Sequence, residues 1–164
     1  VLDALALRIS AQKRMAIKGV HYGGISIGKD AYKRFKEENF PEAVHISGYG
    51  NTLFGLCLEV EESSVYDLDY FPLGPRMIVQ VVSMANGNKP GYERLLNGVN
   101  YGEEGQVVFH RLDESFFIPN MFERDKAVRI PPTSTAIEYG ITQDGVRNPT
   151  LLENNDKLVK TGLY

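Results

Sequence analysis

Two stretches of this 164-residue chain carry residue types at spacings that chemistry could use. Gly23-Gly-Ile-Ser-Ile-Gly-Lys-Asp30 spells G-x-x-x-x-G-K. A phosphate-binding loop uses that spacing to surround phosphates with backbone N–H groups while its lysine adds charge. Such a loop continues with Ser or Thr, whose hydroxyl ligates Mg²⁺; here Asp30 follows and would bring negative charge towards a phosphate. Residues 18–22 also read as a poor buried strand. The favoured expectation is therefore a strand edge that turns at Gly28 into a helix, with Asp30 in its first turn. A nucleotide-binding enzyme using the Gly23–Lys29 loop stands as the alternative. The second stretch pairs His45 with Cys57, which would form a notional thiolate–imidazole couple if their strands were neighbours. A cysteine in an alternating strand is more often a small buried residue.

The remaining residue types narrow the field. His21, His45 and His110 sit at no zinc-like spacing, and no G-x-S-x-G elbow is present. Glu59, Glu61, Glu62, Asp67 and Asp69 form an acidic stretch interleaved with Tyr66, Tyr70 and Phe71. It lacks the glycine and ligand spacing of a calcium loop, so a solvated turn or a contact loop is expected. No catalytic residue, metal ligand or cofactor is singled out, and a non-enzymatic protein is the expectation. With Cys57 alone, no intrachain disulfide can form. A net charge of −3 argues against chain-wide attraction to nucleic acid. Arg8, Lys13, Arg14 and Lys18 still make one helix half basic, so a small DNA-binding accessory protein is a further alternative, with nucleic acid the less favoured partner. No apolar run approaches the roughly 20 residues that span a bilayer, and the Val1-Leu-Asp-Ala start has no basic leader. A soluble protein without a membrane partner, made in the cytoplasm, is expected.

The elements that must position these residues follow from periodicity. Leu2, Leu5 and Ile9 predict a helix over 2–18, stopped by Gly19. Ala31, Tyr32 and Phe35 predict a short packing helix over 29–39, and 44–50 a short strand. The segment from Leu53 to Val82 is the strongest regular signal: a strand 53–60, a Pro- and Gly-punctuated turn, and a strand 77–82. In the first of these, Phe54, Leu56, Leu58 and Val60 are assigned to the core face and Cys57 to the other. A short helix is predicted within 86–98, with Pro90 at its first position. Strands are predicted at 106–111, 115–119 and 126–130, with a turn at 120–125. From Pro131 the periodic apolar pattern fades and Gly, Asn and Pro punctuate the chain. The predicted architecture is α+β: a small, mostly antiparallel sheet in a core domain of residues 1–130, with an N-terminal helix and one or two short packing helices. Residues 131–164 form an extended C-terminal arm, whose removal should leave the core folded.

Three stretches, Gly24-Ile-Ser-Ile-Gly-Lys-Asp-Ala-Tyr-Lys-Arg-Phe35, Leu53-Phe-Gly-Leu-Cys-Leu-Glu-Val60 and Pro72-Leu-Gly-Pro-Arg-Met-Ile-Val79, together resemble an arrangement in small tailed-bacteriophage virion proteins. Cys57 stands where those proteins would be expected to have proline. The resemblance covers residues 24–82 and implies a virion setting without catalytic residues. With the extended arm and aromatic loops, it gives the expected function: a non-enzymatic virion structural protein, capsid-associated or at the head–tail neck or tail. It would assemble with copies of itself and other virion proteins. The expected partner-binding residues are Arg8 and Arg14 on the N-terminal helix, Tyr66, Tyr70 and Phe71 in the acidic loop, and Ile137, Tyr139, Leu151 and Tyr164 on the arm.

Overall fold

A computed structural model of the chain describes residues 2–23, 27–63, 65–84 and 91–152. These residues are α+β, with eight strands in one mixed sheet. In order, the elements begin with α1 (Leu2–Arg8), α2 (Ala11–Ala16), β1 (Gly19–Tyr22) and α3 (Lys29–Arg34), which runs into a π-helical turn (Phe35–Asn39). Then follow β2 (Val44–Asn51), β3 (Gly55–Leu58), β4 (Asp69–Pro72), β5 (Met77–Val82), α4 (Gly91–Leu95), β6 (Glu104–Leu112), β7 (Phe117–Ile130), α5 (Ser134–Glu138) and β8 (Gly145–Leu151). The strand order is β1-β2-β3-β4-β8-β7-β6-β5. Only β1 and β2 run parallel; the sheet is otherwise antiparallel, as predicted, but larger than expected.

The N-terminal helix breaks in two. Ser10 adopts an extended conformation and its hydroxyl accepts the Lys13 N–H, capping α2. Residues 19–22 are a strand after all: Val20 and Tyr22 are buried against β2, and α3 supplies the crossover that a parallel pair requires. The predicted hairpin of 53–60 with 77–82 does not form. β3 pairs with β2 and β4, whereas β5 pairs with β6. Phe54 is buried and Val60 packs on the core as expected, but within β3 the faces of Leu56 and Cys57 are reversed. Asn51 Oδ1 accepts the N–H groups of Leu53 and Phe54, and Gly55 takes a φ of 102°. That tight turn sets the phase so that Cys57 points inward, between Tyr49 and Pro72, while Leu56 faces out.

Residues 117–130 form one long strand rather than two strands and a turn. Asn120 bends it with a φ of 60°, but its pairing to β6 resumes on the far side. The helix predicted at 86–98 is present as α4; Pro90 lies outside the described residues.

The larger correction concerns the arm. Thr133 caps α5 by accepting the Ala136 N–H, and β8 then lies inside the sheet between β4 and β7. Its sequence looks like loop because its neighbours carry the bulk. A Cβ at Gly145 would stand 2.5 Å from Phe71 Cε1 and 2.8 Å from the Tyr70 carbonyl oxygen. Asn148 has a φ of 49°, and Pro149 falls at the irregularity in the β7–β8 register, where a missing N–H costs no ladder bond. Cutting the chain after residue 130 would remove an interior strand, so the expectation of an intact core does not hold. Residues 153–164 lie outside the described part.

The sheet curls strongly. Phe54, at the β2–β3 turn, stacks on Phe109 of β6 with centroids 3.4 Å apart and an interplanar angle of 9°. Tyr49 packs between Phe54, Tyr70 and Phe109. Side chains, not a backbone ladder, therefore bring β2 close to β7. The main core fills the concave side, and a smaller cluster of Phe71, Ile130, Ala136 and Ile141 lies beneath α5.

Candidate functional site

Between β2 on one wall and β7–β8 on the other, the curled sheet leaves a cleft of about 370 Å³. Glu123 and Asp125, two residues apart on β7, both line it, in the stretch where the β6–β7 register slips and Arg124 lines it as well. Opposite them on β2, the same spacing presents Tyr49 and Asn51. The Tyr49 hydroxyl donates to Asp125 Oδ2 at 2.9 Å, and the Asn51 amide donates to Glu123 Oε1 at 3.3 Å. Both carboxyl groups are half-buried, and desolvation pushes both above the ordinary carboxylate range. The Asp125 charge adds to the rise at Glu123, while the adjacent Arg124 draws both down. Burial, reinforced by Asp125, also raises the Tyr49 phenol, which stays protonated and able to donate. The remaining lining is mostly apolar, from Ile27, Phe54, Leu68, Pro149 and Leu151, with Lys29 at the start of α3.

A second buried polar group lies on the other side of Tyr70. The Glu59 carboxylate accepts the Ser47 N–H at 3.0 Å, and the Ser47 hydroxyl hydrogen-bonds with that of Tyr70. Desolvation raises Glu59 to about 7 against the opposing Ser47 hydrogen bond and Lys36 charge. Nearby, His45 accepts from the Tyr22 hydroxyl at Nδ1 and donates from Nε2 to the Phe40 carbonyl. Burial holds the imidazole below its ordinary pKa, consistent with that neutral tautomer. His45 is thus committed away from Cys57. The Cys57 thiol is fully buried and burial pushes its pKa up, so the notional thiolate–imidazole pair is absent.

The Gly23–Lys29 stretch does run from a strand into a helix, contrary to the sequence expectation for residues 18–22. Lys29 nevertheless forms an ion pair with Asp67, and Asp30 occupies the position after it. Asp67 thus engages the ammonium group that a phosphate would need. Residues 24–26 of the stretch lie outside the described part.

The expected partner-binding residues scatter. Arg8 is exposed at the end of α1, whereas Arg14 donates back to the Ala6 carbonyl at 2.9 Å. Tyr66 is half-buried, bonded to the Glu37 carboxylate and edge-on to Tyr32. Tyr70 and Phe71 are 4% and 0% exposed, respectively, and cannot meet a partner, because β4 is an interior strand and both rings are packed within the fold. Ile137 and Tyr139 are exposed around α5, and Leu151 lines the cleft. Tyr164 lies outside the described residues. The cleft residues Tyr49, Asn51, Glu123 and Asp125 were not singled out in the sequence. The one available signal was the long run from Met121 to Ile130 without Gly or Pro, which is compatible with a continuous strand carrying both acids on one side.

No family model matches the sequence, and no curated protein does. Among solved structures, the luciferase-like enzyme from the nonluminescent Zophobas morio mealworm is similar over 84% of this chain, with a TM-score of 0.45 and 15% identity. The chain spans about a third, 34%, of that protein. At that level the similarity carries nothing about activity. Among the described residues, no helix is long and apolar enough to cross a membrane.

Proposed function

We propose that this chain is a non-enzymatic structural subunit that assembles with copies of itself, in a virion setting. The supporting observation is the outer face of β1–β3. Register places Gly48 and Gly50 of β2 opposite Leu58 and Leu56 of β3; Val44 and Ile46 continue the Gly48 side of β2 away from that pair, with His21 of β1 opposite Ile46 and, like Leu56 and Leu58, close to Gly48. Val44 is 65%, Ile46 46% and Leu56 40% exposed. This face has no acidic or Lys/Arg residue among those positions, and it adjoins β1, an edge strand of the sheet. Aliphatic surface next to a strand edge favours association, since natural edges are usually guarded by charge. The virion setting rests on the resemblance of residues 24–82 to tailed-bacteriophage proteins.

Sedimentation of the purified chain over rising concentration tests the proposal. Self-association is expected, and V44K/I46K should weaken it at least about tenfold, since each buried aliphatic side chain contributes roughly 1.5–3 kcal/mol. A parent chain that stays monomeric to about 1 mM, or a double variant that associates equally well, would refute the proposed surface.

A further inference from the structure

We infer that the cleft between β2 and β7–β8 is a binding site for an aliphatic ammonium or guanidinium group, a cationic head on an apolar stem. The chain's ion-paired carboxylates provide the comparison; Glu59, Glu61 and Glu103 also accept from neutral donors but do not line this cleft. Asp69 receives Arg147 through two hydrogen bonds at 2.6 and 2.7 Å, and Asp67 has Lys29 and Arg147. Asp144 has Arg129 at 2.7 Å, Glu104 has Lys126 at 3.1 Å, and Asp113 has Arg111. Glu123 and Asp125 have neutral donors instead, and among the described residues neither forms an ion pair within 4.0 Å.

A half-buried carboxylate pair hydrogen-bonded to neutral donors, with the adjacent Arg124 offsetting part of its charge, is costly when ionised, and an arriving cation offsets more of that cost. The cavity supplies the space: about 370 Å³ lies in the range typical of small-ligand pockets. Its walls suit the stem, because Ile27, Leu68, Pro149 and Leu151 are apolar and long cations lay their methylenes along such surface. Among the described residues, the charged and titratable groups that line the cleft beside the pair include Tyr70 of β4. Arg124 lies between the two acids on β7, β2 offers Tyr49, and Lys29 lines the cleft while paired to Asp67. Residues 148–151 of β8 contain no titratable side chain. The inference is independent of the self-association proposed above.

The cation could be a free amine or a Lys or Arg side chain of another protein. The full chain would be titrated with agmatine, with Nα-acetyl-lysine methylamide and with neutral pentan-1-ol. Binding would be followed by NMR shifts at Tyr49, Asn51, Glu123 and Asp125. Both cations should bind with dissociation constants on the order of millimolar, and pentanol at least about tenfold more weakly. Protonating the acids by lowering the pH from about 7 to about 4 should weaken the cations and leave pentanol unchanged. E123Q/D125N keeps acceptor oxygens for Asn51 and Tyr49 and should lose about tenfold in cation affinity. If that variant fails to fold, the pH arm on the parent chain decides. Either order of affinity between the two cations upholds the site, tighter lysine derivative pointing to a protein side chain and tighter agmatine to a free amine. Equal binding of pentanol, pH-independent cation binding, or no shift at tens of millimolar would overturn it.

Discussion

Replacing Glu59 by Gln should stabilise this protein, and only at neutral and alkaline pH. Glu59 ends its charged life in a poor place: half-buried, beside Asp69 and Glu62, with the Ser47 N–H as its hydrogen-bond donor and Lys36 as its compensating charge. Its carboxyl group has a pKa of about 7 in the fold against 4.5 as the ordinary value. Between those two values the native state binds more protons than the unfolded chain, so stability falls as pH rises through this window and is level above it. The gap from 4.5 to about 7, at ~1.36 kcal/mol per pH unit, sets a ceiling of ~3.4 kcal/mol. Partial solvent access screens that cost, leaving about 2 kcal/mol. Glutamine keeps an oxygen for the Ser47 N–H and removes the charge. Urea unfolding of both proteins should therefore give nearly equal stabilities at pH 4.5 and an advantage of about 2 kcal/mol for E59Q at pH 8. In thermal scans at pH 8 the gain should be roughly 4–8 °C. An E59Q variant that is less stable at pH 8, or whose advantage is the same at both pH values, would show that burial of this charge is not what raises its pKa.

Two further outcomes test the packing directly. Cys57, fully buried with its thiol pKa pushed up, should resist a thiol reagent such as DTNB in the folded protein and react once in urea; rapid stoichiometric reaction without denaturant would place it elsewhere. Gly145→Ala should cost about 2–3 kcal/mol in urea unfolding, because its Cβ would collide with the Phe71 ring and the Tyr70 carbonyl; a neutral substitution would mean that β8 does not pack so closely on β4.

How much of this was visible in the residues depended on where the bulk of each layer sits. β5 announces itself, since Met77, Val79 and Val81 alternate inward, and α3 does so through Tyr32 and Phe35. β8 does not, because Gly145, Asn148 and Pro149 carry turn signals. The large groups it packs against belong to β4, and Asn148 with Pro149 makes an irregularity within a strand instead of an end. Cys57 misled in the opposite sense: alternation was visible in β3, but the left-handed Gly55 fixed which face was inside. The cleft was hidden for a longer-range reason. Tyr49 and Asp125 are 76 residues apart and meet only because the sheet curls, a property held in aromatic contacts such as Phe54 on Phe109. Local spacing has no access to that.

Because β8 lies between β4 and β7, the middle of the sheet is completed by residues synthesised late. Asp69 of β4 waits for Arg147, its partner 78 positions on. At translation speeds of about 5–20 residues per second, that delay is roughly 4–16 s. Throughout it the emerging polypeptide holds an unfilled slot, with the hydrogen-bonding edge of β4 open to any passing strand. A nascent chain stalled before residue 145 should therefore engage chaperones strongly, and release from them should coincide with emergence of 145–151 from the ribosome. Insertion of that segment is the step that turns two exposed halves into one continuous sheet.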